Sequence, residues 1–293
     1  MNHKAGFVSI IGKPNVGKST LMNRMLGEKL SIVTPKAQTT RHRIKGILND
    51  ADFQIIFSDT PGIIEPHYLL HDKMMEFVKA SLVDADAVLF ITDLEETYMD
   101  EEMIKRLVAI KIPLIVIVNK VDLSTQNEIN KLIHGWKKKV SPHAVIPISA
   151  LDDFNVDKIK ETILEILPES PAFFPKEDLS DQSERFFVAE MIREKIFLHY
   201  EKEIPYSTEI GIEEFKEENG LIKIRALIFV ERDSQKGIII GNKGEAIKRV
   251  GTEARKDMEH FLGKKVFLEL FVKVEKDWRK NENQLRRFGY VIQ

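Results

Sequence analysis

GKPNVGKS, residues 12–19, is the most informative segment of this chain for its fold. It has the spacing G-x-x-x-x-G-K-[ST], directly after the apolar run Phe7–Ile11 and at the start of the helix-patterned run Lys18–Leu26. The glycines let consecutive backbone N–H groups turn inward around an anion, and the helix N-terminus adds positive charge. The motif predicts a phosphate-binding loop in which Lys18 reaches the outer phosphates and Ser19 binds Mg²⁺. The candidate nucleotide contacts here are Gly12, Lys13, Pro14, Asn15, Val16, Gly17, Lys18, Ser19 and Thr20.

Composition limits the remaining possibilities. The chain has 293 residues, 43% hydrophobic and 31% charged, a net charge of -2 and no cysteine. This length is typical of two domains or one large one. The lack of cysteine excludes disulfides, zinc fingers, iron–sulfur clusters and thiol catalysis. No apolar run approaches the roughly 20 residues of a membrane span, and the N-terminus lacks a signal peptide's apolar core, so a cytoplasmic protein is expected.

Short apolar runs alternate with helical patterns through the first half of the chain, which predicts an α/β domain with helices on both faces of a sheet. The runs are almost wholly apolar, as central parallel strands are. Arg43–Leu48 and the turn at Asn49-Asp50 predict a hairpin that places one antiparallel strand at an edge. Predicted strands are Phe7–Ile11, Phe53–Phe57, Val88–Thr92, Leu114–Val118 and Val145–Ile148; predicted helices are Lys18–Leu26, His71–Val83, Asp100–Ile110, Asn127–Val140 and Val156–Leu167.

Three prolines between Pro168 and Pro175 break the helical pattern and predict a linker. The predicted boundaries are a nucleotide domain at 1–168, a linker at 169–182, an α+β domain at 183–275 and a basic tail at 276–293. Charge changes along this second half. Residues 176–235 hold 9 Lys and Arg against 15 Asp and Glu, whereas residues 236–293 hold 14 against 8. The chain therefore ends in a basic segment.

Two loops at predicted strand ends are candidates for reading the base. In the tetrapeptide at 119–122 the Asp122 carboxylate can accept two hydrogen bonds from guanine N1–H and N2–H₂, and adenine offers neither. The wrong base would leave that carboxylate unpaired, so discrimination should be large. The loop after the last strand would give a backbone N–H to guanine O6. The candidate base contacts are Asn119, Lys120, Val121, Asp122, Ser149, Ala150 and Leu151.

Two further segments are candidates for sensing the outer phosphate. Asp59 follows a predicted strand and would hold Mg²⁺ through a water, and the Gly62 N–H would meet a γ-phosphate. Upstream, Thr40 is preferred to Thr39 as a threonine that binds Mg²⁺ only when the γ-phosphate is present. The candidate catalytic residues are Lys18, Thr40 and Gly62, and the nucleotide contacts of this loop are Asp59, Thr60, Pro61, Gly62 and Ile63. No general base is identified, because His42, His67 and His71 are expected to be solvent-exposed.

The order and spacing of GKPNVGKST, QTTRHR, DTPG, NKVD and SAL resemble those of the translation-factor-related GTPases over residues 5–168. The Thr-Thr-Arg ahead of the second strand looks like the subgroup that contains Era. This resemblance implies GTP and GDP as ligands, Mg²⁺ as cofactor and hydrolysis of GTP. Ile63 stands where Ras-like enzymes have a glutamine, which implies slow intrinsic hydrolysis. Asn15 stands where potassium-stimulated relatives coordinate K⁺, which makes K⁺ a candidate cofactor.

A second motif lies in the basic segment. Gly241-Asn242-Lys243-Gly244 separates an apolar helical turn from a basic helix, and KH modules use such a G-x-x-G loop to clamp about four unpaired nucleotides. The order helix–strand–strand–helix–helix–strand resembles the type II KH fold. Ile238–Ile240 line a base groove in one interpretation and the helix core in the other. The candidate RNA contacts are Lys236, Gly241, Asn242, Lys243, Gly244, Lys248 and Arg249.

A GTPase followed by this module is the architecture of the Era subgroup, and the resemblance then covers nearly the whole chain. It implies binding near the 3′ end of 16S ribosomal RNA and a role in assembly of the 30S subunit. It also implies weak peripheral contact with the membrane, although the sequence has no lipidation motif. No DNA partner is expected. Trp278–Tyr290, with its arginines and Lys280, extends the RNA surface or forms a solvated terminal helix.

Two other functions remain open at this point. One is an RNA-binding assembly factor that responds to GTP but hardly hydrolyses it, because Ile63 replaces the water-orienting glutamine. The other is an ATP-dependent kinase or helicase that uses the same phosphate loop, which the motif at 119–122 argues against.

Overall fold

The computed structural model describes residues 3–94 and 101–291, apart from the side chains of residues 101–103. Within this part the chain forms two compact units. The first comprises residues 1–31, 40–65 and 74–181, and the second comprises 32–39, 66–73 and 182–293. The division follows the sequence prediction of an N-terminal and a C-terminal half. Two short segments of the N-terminal half, 32–39 and 66–73, nevertheless belong to the second unit.

The first unit is built on a six-stranded sheet of described residues, in the order β2-β3-β1-β4-β5-β6. β2 runs antiparallel to β3, and the other neighbours are parallel. The predicted mixed, mostly parallel sheet with one antiparallel edge is therefore confirmed. The strands are β1 (Lys4–Gly12), β2 (Ile44–Asn49), β3 (Phe53–Asp59), β4 (Ala87–Thr92), β5 (Leu114–Val118) and β6 (Ala144–Pro147).

Helices cover both faces of this sheet because its central strands are apolar on both faces. Every residue of β4 and β5 is buried. Side chains alternate between faces along a strand, so Val116 and Phe90 pack into one core with Trp136, while Ile115 and Leu89 are buried on the opposite face. The helices are α1 (Lys18–Leu26), α2 (Leu69–Val83), α3 (Glu101–Val108), α4 (Gln126–Val140) and α5 (Asp157–Ile166). Asp100, the predicted start of the third helix, lies outside the described residues.

Residues 169–181, predicted as a linker, belong to the first unit. The Gln54 side chain accepts hydrogen bonds from the Phe173 and Phe174 N–H groups at 2.7 and 3.0 Å and donates to the Phe174 carbonyl at 2.8 Å. Gly46 of β2 forms a bridge with Ser180. The prolines prevent a helix here, but they leave extended backbone whose polar groups pair with the open edge of the sheet.

The second unit is an α+β domain with the predicted order helix–strand–strand–helix–helix–strand. β7 (Glu209–Glu218) and β8 (Leu221–Val230) form an antiparallel hairpin, and β9 (Lys265–Val274) runs parallel to β8. The helices are α6 (Glu184–His199), α7 (Asp233–Ile240) and α8 (Glu245–Leu262). One face of the sheet packs against these helices. The core there includes Val188, Ile192, Ile196, Ile224, Ile228, Ile239, Val250, Ala254 and Met258.

The C-terminal segment is anchored by two buried aromatic residues. It consists of a short 3-10 turn at Trp278–Lys280 and the helix α9 (Glu282–Arg287). Trp278 is fully buried and its indole N–H donates to the Ser207 carbonyl at 3.0 Å. Tyr290 is also buried, and its hydroxyl donates to Glu209 at 2.5 Å. These two aromatic residues hold the segment against the second unit, while Glu282, Arg286 and Arg287 of α9 are exposed, so both interpretations of this helix stay open.

Across residues 3–94 and 101–291, none of the helices combines the length and the apolar character needed to cross a bilayer.

Candidate functional site

The predicted phosphate loop connects β1 to α1 at the carboxyl edge of the first sheet. Lys18 is buried, and its ammonium group donates to the Gly12 carbonyl at 3.1 Å and the Lys13 carbonyl at 2.7 Å. Its charge is thereby held directly over the loop. Asn15, at the tip, is exposed and has a left-handed backbone with φ 63°. The loop thus presents a lysine, a helix N-terminus and a turn of backbone to one position, as an anion site requires.

Asn119 links this loop to the two predicted base loops. Its side-chain amide donates to the Val16 carbonyl at 2.8 Å, and its amide oxygen accepts from the Ala150 N–H at 3.0 Å. Gly17 passes so close that an added Cβ would lie 2.2 Å from the Asn119 amide nitrogen, and its φ is 101°. Only glycine fits this approach without strain. Three loops that are far apart in sequence are therefore joined through a single buried side chain.

Asp122, the predicted guanine reader, is exposed, and its carboxylate has no hydrogen-bond or ion-pair partner among the described residues. It lies in a short 3-10 turn, Val121–Leu123, that begins after Lys120. Lys120 has a left-handed backbone, φ 62° and ψ 34°, and its ammonium group pairs with Asp93 at 2.7 Å. The Asp122 carboxylate is thus held on an ordered turn with both oxygens available to a ligand.

Two backbone N–H groups of the loop at 149–151 form hydrogen bonds within the protein. The Ser149 N–H donates to the Phe154 carbonyl at 3.2 Å, and the Ala150 N–H donates to Asn119. These two N–H groups are therefore engaged, which leaves the exposed Leu151 as the residue of this loop whose backbone can meet a base. Arg24 of α1 donates to the Leu151 carbonyl at 2.7 Å. Sequence reasoning missed Arg24, since an arginine in a helix carries no signal of a contact 127 residues away.

The three predicted metal ligands come together. The Ser19 hydroxyl donates to Asp59 at 2.6 Å, and it lies 2.9 Å from the Thr40 hydroxyl. Thr40 in turn lies 3.4 Å from the same carboxylate oxygen. The Thr39 hydroxyl does not join this cluster, because it donates to the Lys36 carbonyl at 2.6 Å. The geometry places Thr40, rather than Thr39, beside the phosphate loop.

The Asp59 carboxylate is suited to a divalent cation. It is fully buried, and burial raises its pKa above the ordinary value, although Ser19, Lys18, Ser31 and Thr40 partly oppose this effect. Its Oδ1 atom is buried with no hydrogen-bond partner among the described residues. Hard oxygen ligands of this type are the ones that Mg²⁺ prefers. A buried carboxylate with one free oxygen, beside two hydroxyls, therefore fits Mg²⁺.

The rest of the DTPG segment is anchored to the strand and the phosphate loop. The Thr60 hydroxyl donates to the Ile10 carbonyl at 2.7 Å, and Pro61 and Gly62 are buried. The Ile63 N–H donates to the Gly12 carbonyl at 3.0 Å. The Ile63 side chain packs at the margin of the core of the first unit, so it offers no polar group to orient a water.

The structure assigns no base among the histidines singled out. His67 is exposed and His42 is half-buried. His71, expected on the surface, is buried instead and stacks on Tyr68 with ring centroids 3.9 Å apart. The expectation of solvent exposure is wrong for His71, which lies in the first turn of α2 and is 4% exposed.

The G-x-x-G loop lies between α7 and α8, as predicted. Gly241 has φ 72° and ψ -179°, Lys243 has φ 48° and Gly244 has φ 79°. These torsions turn the chain sharply and leave Asn242 and Lys243 exposed. Lys248 and Arg249, one turn into α8, are exposed as well, and Lys236 of α7 is half-buried. The loop therefore offers open backbone with basic side chains on either side.

The apolar turn before this loop, Ile238–Ile240, was expected to line either a base groove or the helix core, and its residues differ in this respect. Ile239 is fully buried in the core, whereas Ile238 is 53% exposed. In the C-terminal segment, Arg279 pairs with Glu231, Arg286 pairs with Glu282 at 3.1 Å and Lys280 is exposed. Two arginines of this segment are therefore matched by acidic partners.

Comparison with known proteins accounts for both units. The model of the 50S ribosome-binding GTPase family matches residues 7–120, and the KH domain model matches residues 203–279. These matches confirm the predicted fold class, a P-loop GTPase domain followed by a KH domain.

Whole-chain comparisons extend this result. The chain is 44% identical to GTPase Era of Staphylococcus haemolyticus (strain JCSC1435) over 292 residues, which are 99% of this chain and 98% of that one. Two solved structures are also similar to this chain. One is Era in complex with MgGDPNP and nucleotides 1506–1542 of 16S ribosomal RNA, and the other is a variant of Aquifex aeolicus Era bound to GDP and aluminium fluoride. Each matches with a TM-score of 0.95 and 42% identity, and the match covers 99% of this chain and 100% of the other. Because both units are present and the similarity runs over both entire chains, this chain belongs to the Era family of GTPases.

Proposed function

We propose that the protein is a GTP-hydrolysing switch that binds 16S ribosomal RNA near its 3′ end and assists assembly of the 30S ribosomal subunit. The observation that carries this proposal is the junction made by Asn119, which holds the phosphate loop against both base loops. That arrangement fits a nucleotide bound at its base and its phosphates together. The similar Era structure with MgGDPNP and nucleotides 1506–1542 of 16S ribosomal RNA supports the ligand and the partner.

The domain boundaries proposed for this function are a GTP-binding domain at 1–168, a KH domain at 183–275 and a basic tail at 276–293. Residues 169–182 connect the first two. Residues 32–39 and 66–73, which flank Thr40 and Gly62 in sequence, belong to the second unit. A switch of this kind requires a coupling between GTP binding and RNA binding. Such a coupling must be reciprocal.

Hydrolysis is assigned to a water that attacks the γ-phosphorus. A new P–O bond forms, the bond to the β-phosphate oxygen breaks, and GDP leaves with that electron pair. The attacking water gives up a proton to the phosphate oxygens or the solvent, and inorganic phosphate is the second product. Lys18 neutralises charge on the outer phosphates, and the Gly62 N–H donates to the γ-phosphate. Ser19 and Thr40 would hold Mg²⁺ directly, and Asp59 would hold it through a water. The bound Mg²⁺ supplies positive charge to the phosphate oxygens.

Intrinsic turnover is expected to be slow, because Ile63 offers no polar group to the attacking water. Asn15, exposed at the tip of the phosphate loop, is the residue proposed to bind K⁺ there. A K⁺ ion beside the phosphates would add the positive charge that a partner supplies in other GTPases. The second candidate function, a GTP-dependent assembly factor with negligible turnover, is favoured by the same observation at Ile63.

RNA binding is assigned to the G-x-x-G loop and its basic neighbours. Gly241, Asn242, Lys243 and Gly244 would receive the backbone of unpaired nucleotides, and Lys236, Lys248 and Arg249 would supply positive charge. Ile238, exposed beside the loop, offers an apolar contact for a base. The buried Ile239 belongs to the core.

The proposed place of action is the cytoplasm, where bacterial ribosomal subunits assemble. Weak peripheral contact with the inner face of the membrane stays a prediction, which co-sedimentation with anionic lipid vesicles tests.

The experiment measures the affinity of the intact protein for an oligonucleotide matching the 3′ end of 16S ribosomal RNA, with GDP and with a non-hydrolysable GTP analogue. We expect the affinity to differ between the two nucleotides, and Gly244→Asp to abolish binding. Gly220→Asp is the matched control, because Gly220 also has a left-handed φ, 76°, and open space around it. Equal, negligible binding in both nucleotide states would refute the RNA assignment. Single-turnover hydrolysis with and without the oligonucleotide separates the two candidate functions.

A further inference from the structure

Asp93 is a buried carboxylate beside the proposed nucleotide site that none of the predicted motifs includes. It follows β4 directly, at the carboxyl edge of the sheet, and is 7% exposed. Burying a charged carboxylate costs free energy unless it is paired. It pairs with the Lys120 ammonium group at 2.7 Å. The ion pair therefore joins the end of β4 to the loop after β5.

The backbone at Lys120 explains why this pair matters. Lys120 adopts a left-handed conformation, which a residue with a Cβ seldom adopts and which persists only where its surroundings hold it. The same residue begins the 3-10 turn that carries Asp122. On its other side, the Asn119 N–H donates to the Thr92 carbonyl at 2.9 Å, so residues 92 and 93 hold residues 119 and 120 in succession.

We propose that Asp93 is a positioning residue for guanine recognition, which acts by holding Lys120 and hence the turn that presents Asp122. Asp93 itself does not touch the nucleotide in this role. Its charge fixes the Lys120 side chain, and the fixed lysine keeps the left-handed residue ahead of the 3-10 turn in place. Without that charge the turn would sample other conformations, and the two oxygens of Asp122 would meet the base in only a fraction of the molecules.

This mechanism predicts which kinetic constant changes when the ion pair is lost. Disorder at the base loop weakens the ground state and the transition state equally, because the base takes no part in bond breaking. Loss of such uniform binding raises KM and leaves kcat unchanged. A merely structural ion pair would instead lower the stability of the first unit and reduce kcat and nucleotide affinity together. The inference rests on the proposed function, because it assumes that the loop at 119–122 reads guanine.

The test is Asp93→Asn, which removes the charge and keeps the shape. We expect the Kd for GDP and the KM for GTP to rise about tenfold while kcat stays within about twofold of the unchanged protein. Asp93→Glu, which restores a carboxylate, should recover part of the loss. In a double-mutant cycle, Asp93→Asn should add little to Lys120→Gln, since both remove the same ion pair. The matched control is Lys158→Gln, which breaks the exposed Lys158–Glu161 pair at 3.0 Å and should change neither constant.

An unchanged Kd, a parallel fall in kcat, or additive effects in the cycle would each overturn the proposal. In a Trp278→Phe background, Trp136 fluorescence during urea unfolding reports whether the first unit of each variant is folded, because Trp136 is buried there and Trp278 lies in the second unit. Should Asp93→Asn not fold, the comparison of Lys120→Gln with Asp93→Glu gives the same separation of KM from kcat. Failure of the unchanged protein to prefer GDP over ADP would contradict the proposed function itself, so the two failures are distinguishable.

Discussion

Replacing Gly241 and Gly244 by alanine should have unequal costs, although both glycines have positive φ in the same loop. At Gly244, with φ 79° and ψ 10°, an added Cβ meets nothing within 4 Å. Alanine there bears only the cost of a left-handed backbone, about 1–2 kcal/mol. At Gly241, ψ is -179°, a region restricted almost entirely to glycine and costing alanine about 1–3 kcal/mol.

A steric cost adds to the backbone cost at Gly241. The new Cβ would lie 2.5 Å from the Ala246 Cβ and 3.1 Å from its backbone nitrogen. Overpacking of this kind costs about 1–3 kcal/mol. We therefore expect Gly241→Ala to lower the free energy of unfolding of the second unit by about 2–6 kcal/mol, against about 1–2 kcal/mol for Gly244→Ala. The loop would lose its shape in the first variant and keep it in the second.

Urea unfolding of the full chain measures this difference. Trp278 is buried in the second unit and Trp136 in the first, so a Trp136→Phe background makes Trp278 fluorescence report on the second unit. A slope of about 1–3 kcal/mol per molar urea gives midpoint shifts well above experimental error. Ala246→Gly should partly rescue Gly241→Ala in a double-mutant cycle and should not rescue Gly244→Ala. Equal costs for the two substitutions, or no rescue, would refute the reasoning.

Three other substitutions test separate parts of the structure. Burial raises the pKa of Asp59 above its ordinary value, so ionisation of this carboxyl destabilises the metal-free folded state above the raised pKa. This loss of stability disappears as the pH falls below the ordinary pKa of an aspartic acid. Asp59→Asn should therefore stabilise the metal-free first unit near neutral pH, with the gain vanishing in acid, while Mg²⁺-dependent nucleotide binding is lost; urea unfolding against pH and nucleotide titration check both, and a destabilised variant would contradict this account. The fully buried Arg193 has Glu190 as its main partner, with its Nε 2.8 Å from the Glu190 carboxylate. Glu190→Gln removes the charge of this partner and should lower the free energy of unfolding of the second unit by about 3–5 kcal/mol, measured by Trp278 fluorescence. A loss below about 1 kcal/mol would show that Arg193 finds other partners. Asp122→Asn should change the preference from GTP towards xanthosine triphosphate by more than about a hundredfold in competition binding, and an unchanged preference would remove Asp122 from base recognition.

Patterns that are local in sequence predicted most of the fold. The alternation of apolar runs with helical periods gave the mixed sheet, and the turn at Asn49-Asp50 gave its antiparallel edge, because both depend on neighbouring residues. The motifs likewise predicted the residues that converge at the nucleotide site, including Ser19, Thr40 and Asp59.

Contacts between distant residues could not be predicted in this way. Arg24 and Asp93 support the base loops through partners 127 and 27 positions away, and neither stands in a recognisable motif. The hydroxyl of the buried Tyr290 donates to Glu209, 81 positions earlier, so the basic C-terminal stretch carries no local signal of this anchor. The prolines at 168–175 correctly excluded a helix, but nothing local indicated that this segment pairs with Gln54 and Gly46.

Asn119 and Asp122 stand three positions apart, yet they differ in how many contacts they make with the rest of the protein. Asn119 is buried and bonded to two other loops, whereas Asp122 is exposed and bonded to none of the described residues. The residue that selects the base can therefore be changed without disturbing the contacts that hold the pocket together. A version that answers only to xanthosine nucleotides could be made by one exchange at Asp122. Added to a cell extract, it would let the turnover of this one protein be followed against the background of every other GTPase present.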